Sequence, residues 1–286
     1  MSKTNKKKGR IWRGLATFLL CLTVFVGSVL GILQLGVYCS ARSWEHWSPD
    51  YEKVDIRPVL SKETLTDEDY QTLYRQTGLT KLGIDGFLEK NDISTVIELQ
   101  EFFFSKHTVT ADKFAAFTYL EEIEEYAPMA VLEDGDIIVS ATTRVSWFRY
   151  GHAALVVDGE SKRIVESLAP GYESEINSAK TFADLANFLV LRPKADKETR
   201  TQVAAYAKEN LVGLPYQMTT GILSKKYNPD ELKRSQCAHL VWYAYKKFGI
   251  DLDSTGGLVV KPRDVANSEH VEVVQAFGFD LDALWS

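Results

Sequence analysis

The chain has 286 residues, a net charge of −6 and 12% aromatic residues, a length that allows one sizeable core and an accessory region. Its acidic balance argues against a nucleic-acid partner. Of three cysteines, Cys21 and Cys39 lie in or beside an apolar N-terminal segment, so the lone thiol of the remainder, Cys237, has no intrachain disulfide partner there.

Residues 1–13 read as a basic cytoplasmic leader, with Lys3, Lys6, Lys7, Lys8, Arg10 and Arg13 and no acid. Residues 14–38, GLATFLLCLTVFVGSVLGILQLGVY, carry no charge. About 20 such residues cross the hydrocarbon core as a helix, whereas a secretory signal core usually has about 7 to 15. The segment is therefore expected to be a retained transmembrane anchor. Tyr38 argues against lipoprotein-type processing at Cys39, and cleavage at CSA, 39–41, is the alternative. Positive charge on one flank and tryptophans on the other place the N-terminus in the cytoplasm and everything after residue 40 outside. Without the leader's +6 the exported part carries −12, which argues against an anionic-lipid footprint too. GSVLG, 27–31, is a GxxxG that offers a face for a helix-mediated dimer.

Residues 39–61 read as a connector, and 62–127 as a small helical accessory region. TLTDEDYQTLYRQTG opens with Thr66 followed three residues later by Asp69, the spacing of a capping box, and ends at Gly78. DISTVIELQEFFFSK and TADKFAAFTYLEEIEEYAP also read as helices, the second stopped at Pro128. The acidic run from Glu121 to Glu125 reads as a solvated face.

After Pro128 the pattern turns to short β-rich runs separated by turn residues. These are GDIIVS (135–140), HAALVVD (152–158), RIVESL (163–168) and FLVLRP (188–193), with HVEVVQAF near the C-terminus as one more strand. A helix over 196–213 follows the first four, with Asp196 as its cap and Val203, Ala207 and Leu211 on one face. Strands first and helices after predict an α+β domain with an antiparallel sheet, spanning 128–286.

The second helix of that domain covers 235–248. Cys237, Leu240, Val241, Ala244, Tyr245 and Phe248 follow the helical spacing of an inward stripe, with Ser235 as the cap and Gly249 as the stop. Cys237 thus falls in the first turn, where unpaired N–H groups and the helix dipole favour a thiolate and can hold an oxyanion. The competing reading is a buried cysteine acting as a small hydrophobe.

A thiolate nucleophile needs a base. His46 abuts the apolar segment, His107 lies in the helical region, and His270 has no local context. His239 is two residues from Cys237 and faces away around the helix, which also makes the two poor co-ligands for one metal ion. His152 remains, opening the strand HAALVVD, although a strand histidine is more often structural.

These residues carry a resemblance. GDIIVSATTRVSWFRYGHAALVVDGESKRIVESLAPG, then GLPYQ, then SQCAHLVWYAYKKFGIDL and KPRDVANS occur in the order seen in the YiiX/YebB-like cysteine hydrolases, a circularly permuted branch of the NlpC-type papain-like fold. The resemblance covers roughly 130–275 and leaves out 40–127. It implies Cys237 as nucleophile, His152 as its base, Glu166 as the third polar residue, and Tyr216 of GLPYQ lining the substrate site. Ala238 and His239 depart from the serine and acidic residue more usual after the cysteine, which bears on substrate contacts. The chemistry agrees: His152 would take the thiol proton and Glu166 would fix the imidazole's tautomer from the neighbouring strand.

The implied activity is that of a membrane-anchored extracytoplasmic thiol hydrolase acting on amide bonds of cell-wall peptides through a thioester. Acyl transfer or lipid deacylation is the rival, since permuted relatives include lecithin retinol acyltransferase-like proteins. An envelope-binding protein with an inactive site is the third reading. No CxxC, HExxH or P-loop is present, so no metal or nucleotide cofactor is expected.

Overall fold

The computed structural model describes residues 3–42, 46–111, 117–121, 126–145 and 148–285. The N-terminal unit is one helix, α1 (Lys3–Arg42). Its stretch Trp12–Gly36 has a mean hydropathy of 2.4, with none of it buried, and is long and apolar enough to cross a membrane.

The second unit begins with a segment that packs down rather than hanging free. The Trp47 N–H donates to Gly278 O, and Ile56 and Leu60 are buried next to and within the short helix α2 (Arg57–Leu60). Three helices follow: α3 (Asp67–Thr77), α4 (Lys81–Glu89) and α5 (Ile93–Phe104). The capping box at Thr66 and Asp69 forms as the spacing predicts, and Gly78 ends α3 in the left-handed region.

Where the sequence predicts a helix over 110–127, the described residues form strands. Val109–Ala111 (β1) and Thr118–Leu120 (β2) pair as antiparallel strands. Tyr119 also bridges Leu185, and the Leu120 N–H donates to Asp184 O. These backbone partners lie far away in sequence and outweigh the helix propensity of an Ala- and Glu-rich run. Residues 112–116 and 122–125, the latter within the acidic run, lie outside the described residues.

The remaining strands are β3 (Ile137–Ser140), β4 (Arg144–Val145), β5 (Phe148–Arg149), β6 (His152–Asp158), β7 (Arg163–Glu166), β8 (Glu175–Ser178), β9 (Phe188–Pro193) and β10 (Val271–Phe277). Six form one antiparallel sheet in the order β10-β9-β3-β6-β7-β8. The helices are α6 (Lys180–Ala183), α7 (Lys197–Asn210), α8 (Cys237–Lys247) and α9 (Pro262–Ala266). The fold is α+β, as the element pattern predicts. α7 and α8 pack against β6 and against each other. The helical region closes the other edge: the Thr80 N–H donates to Val274 O and the Ala276 N–H to Gly78 O, so β10 is not left as an open edge.

α8 departs from the one-sided stripe. Every residue from Cys237 to Tyr245 is buried. The outer face is wrapped by the segment around 226–228, where Lys226 O pairs with His239 Nε2 and Asn228 O accepts from the Tyr243 hydroxyl. Tyr227 packs its ring against Trp242 and Tyr243. The cap also differs. Gln236, not Ser235, is the N-cap, its side chain accepting from the Ala238 N–H. The Ser235 hydroxyl is taken instead by His239 Nδ1, at 2.9 Å.

Candidate active site

Three segments bring the site together. His152 opens β6 and Glu166 closes β7; Ala154 is paired with Glu166, so His152 and Glu166 are diagonal neighbours on one sheet face. Gly151 places the histidine. It has φ +81°, and a Cβ there would lie 2.7 Å from Ser140 O and 2.9 Å from the Trp285 ring. α8 delivers Cys237 to β6 at its first turn. The far end of α8 is fixed by the Tyr245 hydroxyl donating to Gly135 O, just before β3.

His152 Nε2 and Glu166 Oε2 are 2.6 Å apart, with both side chains 2% exposed. Cys237 is the imidazole's other polar neighbour and, with Glu166, favours its charged form. Cys237 itself is 1% exposed. The second carboxylate oxygen of Glu166 accepts from Asn177 Nδ2 at 2.9 Å, from β8. The imidazole is held between rings, stacked on Phe182 at 5.3 Å and meeting Phe117 edge-on at 5.6 Å.

Burial disfavours the charged imidazole, but the hydrogen bonds and charges of Cys237 and Glu166 outweigh it and push the His152 pKa up to about 10. Burial likewise works against the Glu166 carboxylate, yet His152 and Asn177 hold its pKa below the usual carboxylate value. The arrangement favours a charged imidazole paired with the Glu166 carboxylate.

Tyr216 lies on a segment paired with the residues just before Cys237. The GLPYQ segment runs beside the residues preceding Cys237: the Ser235 N–H donates to Pro215 O and the Gln217 N–H to Ser235 O. The Tyr216 phenol is bonded to that of Tyr150, and burial together with the charge of Cys237 raises both above the usual tyrosine value. Both phenols are thus held neutral within electrostatic reach of Cys237. The Cys237 N–H has no acceptor among the described residues, consistent with its place in the first turn of α8.

Sequence reasoning missed Tyr150, Asn177 and Gln236. Tyr150 carries a readable signal, standing two residues before His152 in RYGH. Gln236 Oε1 accepts from both the Ala238 N–H, at 3.0 Å, and the Cys237 thiol, at 3.3 Å, while Nε2 donates to Val260 O at 2.5 Å. His239 faces away, as expected. Its ring bonds to Ser235 and Lys226 O, and burial lowers its pKa to about 4, so it is a neutral structural histidine. Among the described residues, no group of three or more His, Cys, Asp or Glu is placed to hold a metal ion. A cleft of about 400 Å³, lined by residues such as Lys90, Glu133 and Arg192, shares none of these side chains.

No family model matches the chain, and no solved structure matches it. A stretch of 131 residues, 45% of the chain, is 29% identical to the uncharacterized protein YycO of Bacillus subtilis (strain 168). The match covers 50% of that protein, so the chain spans about half the length of the curated relative it matches.

Proposed function

We propose that the chain is a membrane-anchored cysteine hydrolase of the permuted papain-like, YiiX/YebB-like type, with its catalytic domain outside the cytoplasmic membrane. The observation that carries this reading is the buried relay of Cys237, His152 and Glu166, drawn from a helix N-terminus and two adjacent strands. The histidine strand precedes the cysteine helix in the chain, which is the permuted order.

In the proposed reaction His152 takes the thiol proton and the Cys237 sulfur attacks an amide carbonyl carbon. The developing oxyanion is met by the Cys237 N–H and by the phenols of Tyr150 and Tyr216. The imidazolium then protonates the leaving amine as the C–N bond breaks, leaving a thioester. Water, deprotonated by His152, attacks that thioester and releases the acid and the thiol. Glu166 holds the ring by Nε2 throughout, so that its other nitrogen serves the sulfur. Because Cys237 is 1% exposed, the groups covering it shift before a substrate carbonyl reaches the sulfur.

The substrates proposed are amide bonds in cell-wall peptides, on the grounds of the family resemblance and of an apolar helix that would hold the domain at the envelope. Purified full-length protein in detergent, offered labelled muropeptides and acyl lipids in parallel, tests this. Muropeptide turnover that disappears in C237A is the expected result. Turnover of acyl lipids alone moves the reading to lipid deacylation, and turnover retained in C237A overturns the nucleophile.

A further inference from the structure

Outside α1, the two most exposed aliphatic side chains among the described residues are Leu223 at 78% and Leu258 at 70%. Ile222, 58% exposed, and Met218, 46% exposed, lie beside the first. They are not scattered. The turn carrying Leu223, closed by the Leu223 N–H donating to Thr219 O, lies against the backbone of Leu258. Gly221 makes the contact: its φ is +92°, and a Cβ there would fall 1.7 Å from Leu258 O. Lys226 Nζ ties the same two loops by donating to Gly257 O at 2.6 Å. Four exposed aliphatic side chains are thus carried on two loops whose backbones meet.

We propose that this patch inserts into the bilayer surface and docks the catalytic unit on the membrane. Four side chains on turn tips are too few for a stable protein interface, which buries on the order of 1,200 Å² or more. They suit shallow insertion, roughly 5–10 Å deep, at the headgroup boundary. The cations beside them fit the same surface. Exposed Lys225 follows Leu223 by two residues, and exposed Lys261 follows Leu258 by three, so each stands beside an aliphatic tip where a long cationic side chain would meet headgroup phosphates. The part of the chain after the leader carries −12 overall, so general electrostatic adhesion is absent and the contact is led by apolar side chains. The bilayer is the apolar phase to which the chain is already committed by α1, and in this respect the proposal rests on reading α1 as a membrane anchor.

The patch adjoins the candidate site on both loops. Tyr216 and Gln217 precede the Leu223 turn, and Gln217 bonds to Ser235 O; Val260, two residues past Leu258, accepts from Gln236. Docking there would bring the loops that carry Tyr216 and Val260 to the headgroup level.

The test uses the full-length chain reconstituted in vesicles of zwitterionic lipid with about one-quarter anionic lipid. In a C21A, C39A, C237S background, an environment-sensitive fluorophore is attached at L223C, at L258C or at E160C, the last in the exposed β6–β7 turn at the opposite end of β6 from His152. The two leucines are exposed, so their replacement leaves folding intact. Vesicle flotation reports the anchor separately. Nitroxide lipids labelled near the headgroup should quench probes at 223 and 258 several-fold more than the probe at 160, and aqueous iodide should quench them less. Quenching at 223 and 258 that matches 160, in vesicles that float with the protein, overturns the docking and leaves the anchor standing. Protection from iodide without nitroxide quenching also overturns it, in favour of a protein contact such as a second copy. Protein that does not float overturns the anchor and the docking together.

Discussion

Glu166→Gln keeps the size of the side chain and removes its charge. The carboxylate lies 2.6 Å from His152 Nε2, both side chains being 2% exposed. The imidazole pKa climbs from 6.5 to about 10 against the opposing pull of burial. At about 1.4 kcal/mol per pKa unit, that net climb is roughly 5 kcal/mol of preference for the charged ring, which Cys237 and Glu166 together supply over and above the cost of burial. If each partner supplies about half, Glu166→Gln lowers the His152 pKa by at least one to two units, or at least about 2 kcal/mol. Comparing C237A with C237A/E166Q by NMR of labelled histidine reads this directly, without a substrate and without the thiol's contribution. The double variant should titrate at least about one unit lower. Loss of the orienting charge should also cost roughly 10²-fold in kcat/KM and move the alkaline limb of the pH profile downward. The sign of the stability effect follows from the raised folded pKa. The stabilisation is fully present below the unfolded value of 6.5 and is lost as pH rises through about 10. Wild type and E166Q should therefore differ most in urea midpoint near pH 6 and converge at high pH. A His152 titration that is the same with and without the carboxylate refutes the reasoning.

Asn177→Ala removes the donor to Glu166 Oε1 and with it about 1.5–3 kcal/mol of hydrogen bonding to a charged group. The carboxylate pKa should rise, moving the acid limb of activity upward, and a pH profile of kcat/KM that does not move discounts the contact. Arg192→Met leaves the Asp136 carboxylate, 0% exposed and paired to that guanidinium at 2.8 Å, buried without its partner. The expected loss at neutral pH is about 3–5 kcal/mol by urea unfolding. Burial already holds Asp136 above the usual carboxylate value, so the folded state gains stability as pH falls through that raised pKa, and R192M should recover part of its loss on acidification. Equal losses at pH 5 and pH 8 would contradict this.

Much of the sheet was legible because its central strands are buried on both faces and read as apolar runs. Ile137–Ser140 and His152–Asp158 end within two residues of their predicted limits. β8 was not legible. EINS is short, half-exposed and polar, and its pairing with β7 is a property of the folded sheet rather than of its own pattern. Asn177 was missed for that reason: its relevance to Glu166 exists only once β8 has docked. The first turn of α8 was readable, but the full burial of the helix was not, because the covering segment near Tyr227 has no periodicity of its own to announce it.

The pairing of His152 with Glu166 depends on register, and the β6–β7 hairpin shows how register is set. Side chains alternate faces along a strand, so a slip of one residue would turn Glu166 away from the imidazole. Ala154 pairs with Glu166, Leu155 with Val165 and Val156 with Ile164, after which Asp158 pairs with Arg163 and Val157 is bulged out. The turn that follows is fixed by Lys162 at φ +51° and by the Ser161 N–H donating to Asp158 Oδ1 at 2.8 Å. Apolar burial does not choose the register here, since Ile164 and Val165, on opposite faces, are both fully buried, and the choice falls to the bulge and the turn. The bulge absorbs the odd residue at the turn end, which leaves the other end of the hairpin in the one alignment that sets the carboxylate beside the ring. The acidic turn DGESK, remote from the thiol, is in this sense part of the site's construction: it decides which face of β7 carries Glu166.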